Sequence, residues 1–140
     1  MTKIELSRVH GDFGFEAKDE MGHTVLFDSS AEAGGENFGP RPMHIMLMSL
    51  GACSGIDVIT ILKKQKQEVK DYKMIIKGDR ETGKPITLWK NIQMEFHIFG
   101  EVDEDLAKRA VQLAMDKYCT AAETLRAAGA YITWKVIMNK

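Results

Sequence analysis

Two cysteines stand in these 140 residues, and each has neighbours that suit redox chemistry. Cys53 lies in the most apolar stretch of the chain, within Gly51-Ala52-Cys53-Ser54-Gly55. Such small neighbours leave a sulfur open to a small molecule. Cys119 sits between Tyr118 and Thr120, at the opening of a later helical segment. A thiol oxidised to a sulfenic acid condenses with a second thiol if the fold brings one close. Free cysteines are also common as small buried core residues. The residues alone leave both readings open.

The composition narrows the function classes. Apolar residues make up 44% of the chain and charged residues 28%, with a net charge of −1 and no long run of either sign. That is the profile of one soluble domain over residues 1–140, without the basic footprint of a nucleic-acid or membrane-surface binder. The start, Met1-Thr2-Lys3-Ile4-Glu5, is charged and no apolar run follows it, so no signal peptide and a cytoplasmic location are expected. In a reducing compartment a bond between the two cysteines would be transient rather than a permanent staple. Pro42–Leu62 is apolar and near the roughly 20 residues a bilayer requires. It also holds Asp57, costly at mid-span in lipid, which favours a buried core helix over a membrane span.

The elements that must position the cysteines follow from periodicity. Lys3–Val9 alternates with period two and predicts a strand with one buried face. A turn at His10-Gly11-Asp12 leads to a second strand through Phe13, Phe15 and Ala17, and Thr24–Phe27 supplies a third. The loop Asp28–Arg41 is long for a compact domain, a length often associated with function. Pro42 suits the first turn of a helix running to about Lys66, whose basic end complements the macrodipole. Almost every position from Ile45 to Leu62 is apolar or small, which predicts burial on most faces and a dimer partner to supply part of the cover.

Strands at about Asp71–Asp79 and Leu88–Phe99 come next. A helix opening on Asp103-Glu104-Asp105 follows, burying Leu106, Ala110, Val111, Leu113 and Ala114. Thr120-x-x-Glu123 fits a capping box for a short helix ending at Gly129, and Tyr131–Met138 closes the chain as a strand. The fold class is α+β, in the order βββ-α-ββ-αα-β.

At this point the chain resembles the OsmC/organic hydroperoxide resistance family of thiol peroxidases. The residues that carry the resemblance are Pro-Met-x-x-x-Leu-Met-x-Leu-Gly-Ala-Cys at 42–53 and the continuation Ile56-Asp57-Val58-Ile59-Thr60-Ile61-Leu62-Lys63-Lys64. That continuation is similar to the OsmC-like branch in particular. Lys117-Tyr118-Cys119-Thr120 and the order of elements match as well. The resemblance spans essentially the whole chain. It implies an intertwined homodimer in which two long central helices pack back to back. It also implies that Cys53 attacks the peroxide O–O bond, that Cys119 resolves the sulfenic acid, and that a dithiol reductant restores the pair. In the family a glutamate and an arginine activate the attacking thiol. Here the position nine residues before Cys53 holds His44, and Arg41 is the nearest arginine. Arginine lowers a thiol's pKa by stabilising the thiolate, and a protonated His44 would do part of the same work.

Other residues carry bland readings. Local electrostatics alone would make Cys119 the lower-pKa thiol, because it adjoins a helix start while Asp57 lies one turn beyond Cys53. Asp57 itself reads as structural. The stripe Ala52, Ile56 and Ile59, linked to Ile45, Ser49 and Ala52, reads as packing. Met43, Leu47 and Phe38 are candidates for favouring an alkyl hydroperoxide over hydrogen peroxide. His10, His23 and His97 show no ligand spacing to either cysteine, and no glycine-rich nucleotide fingerprint is present, so neither a metal nor a cofactor is expected. Two functions follow: a thiol-dependent reductase of organic hydroperoxides, or a non-catalytic OsmC-like dimer that binds a small apolar ligand or serves as a stress-related protein.

Overall fold

The computed structural model describes residues 1–140. They form two compact units, Met1–Met46 and Leu47–Lys140. In the first, β1 (Glu5–His10), β2 (Gly14–Lys18) and β3 (Thr24–Phe27) make an antiparallel meander. The alternation that marks β1 is present, but the chain leaves that strand exposed along its whole length rather than burying one face. The long loop after β3 is ordered by one buried carboxylate. Asp28 accepts from the backbone N–H groups of Ser29, Glu36 and Phe38 at 2.7, 2.9 and 3.1 Å. These bonds, Glu36 foremost, hold its pKa below the ordinary 3.8 against the opposing effect of burial.

Helix α1 (Pro42–Lys64) begins at the expected proline and runs from the first unit into the second. It stops two residues short of the expected end because Lys66 takes φ +59°, a left-handed conformation that no helix continues. In the second unit β4 (Asp71–Arg80), β5 (Trp89–Phe99) and β6 (Tyr131–Asn139) form a sheet. β4 and β5 are antiparallel, whereas β6 runs parallel to β5. A parallel partner requires a crossover, and α2 (Glu104–Leu113) and α3 (Thr120–Ala127) provide it. Asp103 caps α2 by accepting from Leu106 N at 2.9 Å.

The register gathers Ile92, Met94, Phe96 and Ile98 on one face, all essentially inaccessible to solvent. Burying each such side chain contributes about 1.5–3 kcal/mol. The other face carries Lys73, Lys77, Gln93, Glu95, His97 and Lys135, so the sheet is apolar on one side and polar on the other. Leu50, Ser54, Val58 and Leu62, each four residues from the next, form the buried stripe of α1. Along α2 the inaccessible residues are Ala107, Ala110 and Val111, while Leu106 and Leu113 are only partly covered.

Contacts of α1 with β4 are intimate. A Cβ on Gly51 would stand 2.8 Å from Ile76 Cδ1, one on Gly55 3.3 Å from the Tyr72 ring, and one on Gly78 3.2 Å from Leu47 Cδ1. Ser54 Oγ lies 3.9 Å from Met74 Sδ between them. Positions 47, 51, 54 and 55 thus meet 78, 76, 74 and 72 in reverse order, and the helix lies antiparallel along the strand.

The expectation that α1 is buried on most faces fails within one chain. Only 28% of its most apolar window is buried, and Ser49, Ala52, Ile56 and Thr60 are exposed on the side away from the sheet. The stripe through Ala52 and Ile56 therefore packs against nothing in its own chain. The helix is long and apolar enough to cross a membrane by length and composition alone.

Candidate functional site

Two elements bring the cysteines together. Cys53 projects from α1, half-buried at the border between its covered and uncovered faces. Cys119 comes from a local irregularity. After α2 the chain winds into a π-helical turn, Ala114–Tyr118, closed by Cys119 N donating to Ala114 O at 2.7 Å. The backbone then extends at Cys119 (φ −75°, ψ 100°) and α3 begins. Single π turns of this kind recur at functional sites. The guanidinium of Arg126 steadies the turn by donating to Met115 O and by pairing with Glu123 at 3.4 Å.

The cap of α3 differs from the sequence expectation. Cys119, not Thr120, is the N-cap, and its Sγ accepts from Ala122 N at 3.4 Å. The capping box fails because Thr120 is already helical, with its carbonyl accepting from Thr124 Oγ1 at 2.8 Å. The thiol takes the place usually held by a serine or aspartate oxygen.

Cys53 and Cys119 come within 3.6 Å of each other, and both are free thiols. A carboxylate oxygen of Asp57 and the two sulfurs all lie within 4.8 Å of one another. Asp57 Oδ2 is buried and has no hydrogen-bond partner. Asp57 thus belongs to the thiol site: the sequence placed it one turn beyond Cys53 but read it as structural and did not bring Cys119 to it. The signal was available, since residues 53 and 57 share one face of a helix at i,i+4.

The acidity expected of Cys119 is reversed. Burial pushes its thiol up from the ordinary 9.0 to about 11, although the Ala122 N–H pulls the other way. A hydrogen bond with Cys53, the charge of Cys53 and the charge of Asp57 add to the rise. The N-terminal position on α3 does help the thiolate, as the sequence implied, but desolvation outweighs it. Cys119 therefore stays protonated at neutral pH.

Arg41 and His44 belong to the first unit. Arg41 precedes α1, and its carbonyl accepts from His44 N at 3.0 Å and from Ile45 N at 3.2 Å. His44 is exposed in the first turn, about two and a half turns from Cys53 along the helix. The other histidines have carboxylate partners of their own. His10 meets Glu36 at 3.3 Å and stacks on Phe38, His23 meets Asp19 at 2.9 Å, and His97 meets Glu95 at 3.0 Å.

The chain is thus an α+β protein with one thiol on a long helix and the other after a π turn. The family of OsmC-like proteins matches residues 33–135, and the chain belongs to it. Protein YhfA of Escherichia coli (strain K12) is 36% identical over 115 residues, which cover 81% of this chain and 82% of that protein. A hypothetical protein from Aquifex aeolicus VF5 shares 32% identity, and its crystal structure superposes with a TM-score of 0.81 over 100% of this chain and 98% of that one. An organic hydroperoxide resistance protein OsmC from Legionella pneumophila shares the fold at 18% identity. Its TM-score is 0.68, over 100% of this chain and 97% of that one.

The raised thiol of Cys119 gives a pH signature. Its folded pKa lies above its unfolded value, so the folded state holds a proton that the unfolded state releases between pH 9.0 and about 11. Stability falls with rising pH across that window. Denaturant unfolding of the reduced protein should show this loss, and Cys119→Ser should flatten the slope relative to the parent. An equal slope in both proteins would refute the assignment.

Proposed function

We propose that this protein is a dimeric, thiol-dependent peroxidase that reduces organic hydroperoxides. The observation that carries the proposal is the 3.6 Å approach of Cys53 and Cys119. The family and the name of its Legionella pneumophila neighbour support the choice of substrate class.

Cys53 attacks as thiolate on the O–O bond of ROOH, which breaks to release ROH and leaves Cys53 as a sulfenic acid. Cys119 then attacks the oxidised sulfur, water departs, and a Cys53–Cys119 disulfide remains. A dithiol reductant returns both thiols by exchange and leaves as its own disulfide. Half-buried Cys53 is the more approachable of the two, and buried Cys119, protonated at neutral pH, stands beside it. A positive group is needed to favour the attacking thiolate against Asp57, and Arg41 and His44 are the candidates. A cytoplasmic location follows from the reducing conditions the cycle requires.

The dimer belongs to the same proposal. Ser49, Ala52, Ile56 and Thr60 present a stripe of small and apolar residues, with Ile56 67% exposed. A second copy of α1 packed on that stripe would bury it, and β1 also lies exposed with Leu6 and Val9 uncovered. Sedimentation of the reduced protein should give twice the chain mass, and a monomer would remove this element.

One observation favours a second reading. A carboxylate beside the thiols disfavours thiolate formation, and His44 stands in place of the family's glutamate. That combination suits a non-catalytic OsmC-like dimer binding a small apolar ligand. Turnover kinetics separate the two. With cumene hydroperoxide and dithiothreitol, Cys53→Ser should lose activity by at least about a thousandfold, as loss of a covalent nucleophile does. Cys119→Ser should consume one equivalent of peroxide and stop, while Arg41→Ala or His44→Ala should slow the oxidation step. Full activity in Cys53→Ser would overturn the peroxidase reading.

A further inference from the structure

We propose that the reduced site is also a binding site for one soft divalent cation of the zinc class, held by Cys53, Cys119 and Asp57. This stands on the geometry of the reduced thiols and does not rest on peroxidase activity.

The reduced thiols stand close to the spacing of a metal-bound pair. A disulfide needs sulfurs about 2.05 Å apart. Two thiolates on a tetrahedral zinc ion, each about 2.3 Å from the metal, stand about 3.8 Å apart. The observed approach is 3.6 Å, so both sulfurs could meet one ion with little movement. An oxygen ligand at about 2.0 Å from the same ion would lie about 3.5 Å from each sulfur. An Asp57 oxygen is already within 4.8 Å of both.

Two further features point to a cation. Asp57 Oδ2 is buried without a hydrogen-bond partner. An orphaned carboxylate oxygen carries a desolvation cost that a bound cation would relieve. Cys53 and Asp57 also stand at i,i+4 on α1, the spacing by which one helix face offers two ligands to one ion. Cys119 supplies the third from the far side. The fourth position is open to water or to an exogenous ligand.

Binding exchanges protons for metal: two thiols and M²⁺ give a dithiolate complex and two H⁺. The ion engages the sulfur lone pairs, so a loaded site reacts with peroxide more slowly than an empty one. Oxidation reverses it. The dithiolate complex, one ROOH and two H⁺ give the disulfide, M²⁺, ROH and water, since a disulfide is no longer a ligand pair. The reduced site would therefore hold the ion and the oxidised site release it.

The histidines, on which the sequence expectation of no zinc rested, take no part. The site needs only the two cysteines and a carboxylate four residues beyond the first.

The test uses the 140-residue protein, reduced and freed of metal by chelation, without peroxide, with diamide as the oxidant where one is needed. Titration with Zn²⁺ against a chromophoric chelator should show one equivalent bound and, at neutral pH, protons released. Co²⁺ should give the near-ultraviolet thiolate charge-transfer band and the intense visible bands of a tetrahedral site. Cys53→Ser and Cys119→Ser should each abolish the charge-transfer signature of a two-sulfur site. Asp57→Ala, which keeps both thiols, should weaken binding by at least about tenfold. Oxidation of the parent to the disulfide should release the ion. No stoichiometric binding, or binding indifferent to Asp57→Ala or to both cysteine substitutions, would overturn the proposal. Because no peroxide is present, zinc binding without later turnover would remove only the peroxidase reading, and turnover without zinc binding only this one.

Discussion

The site depends on how closely α1 can lie against β4. Gly51 and Gly55 present no side chain where Ile76 and Tyr72 press on the helix. A Cβ at those positions would stand 2.8 Å from Ile76 Cδ1 and 3.3 Å from the Tyr72 ring, so either side chain would have to shift to admit it. Along the same contact Leu50, Ser54, Val58 and Leu62 enter the core. Glycine in a helix interior costs about 1 kcal/mol relative to alanine, and here that cost is offset by burial along the helix. Fixing α1 on the sheet fixes Cys53 at its flank. The crossover from β5 to β6 then carries the second thiol to it.

What meets there is a balance of opposing effects. The N-terminal end of α3 and the Ala122 N–H favour a Cys119 thiolate, whereas burial, Cys53 and Asp57 oppose it and prevail. A thiol held in the protonated form is protected from unproductive reaction, and it must lose its proton as it attacks the oxidised Cys53, since it is the thiolate that attacks. The same Asp57 that opposes ionisation gives the pair a third oxygen-bearing arm. One arrangement of three side chains thus bears on redox chemistry and on cation binding, with opposite consequences for the sulfurs.

Much of the frame was legible in the chain because it is set by local rules. Pro42 marks the start of α1, and alternation marks every strand to within a residue or two at most ends. The two cysteine contexts stood out for the same reason. Features set by tertiary surroundings were not legible. The π turn Ala114–Tyr118 has no periodic signature, and it moves the cap of α3 from Thr120 to Cys119. The acidity of Cys119 follows from burial that no neighbour in the sequence reveals. Asp57 read as structural because nothing local says that a residue sixty-two positions later will face it. The apolar pattern of α1 predicted burial, but its own chain covers only one stripe of it.

The central claim is that Cys53 and Cys119 act as one redox centre. Its most direct test is mass spectrometry of the reduced protein after one equivalent of cumene hydroperoxide, with alkylation of remaining thiols and peptide mapping. The account predicts rapid conversion to a single Cys53–Cys119 disulfide. Two unmodified, alkylatable thiols would contradict it, and would leave the cation site as the chemistry of these residues.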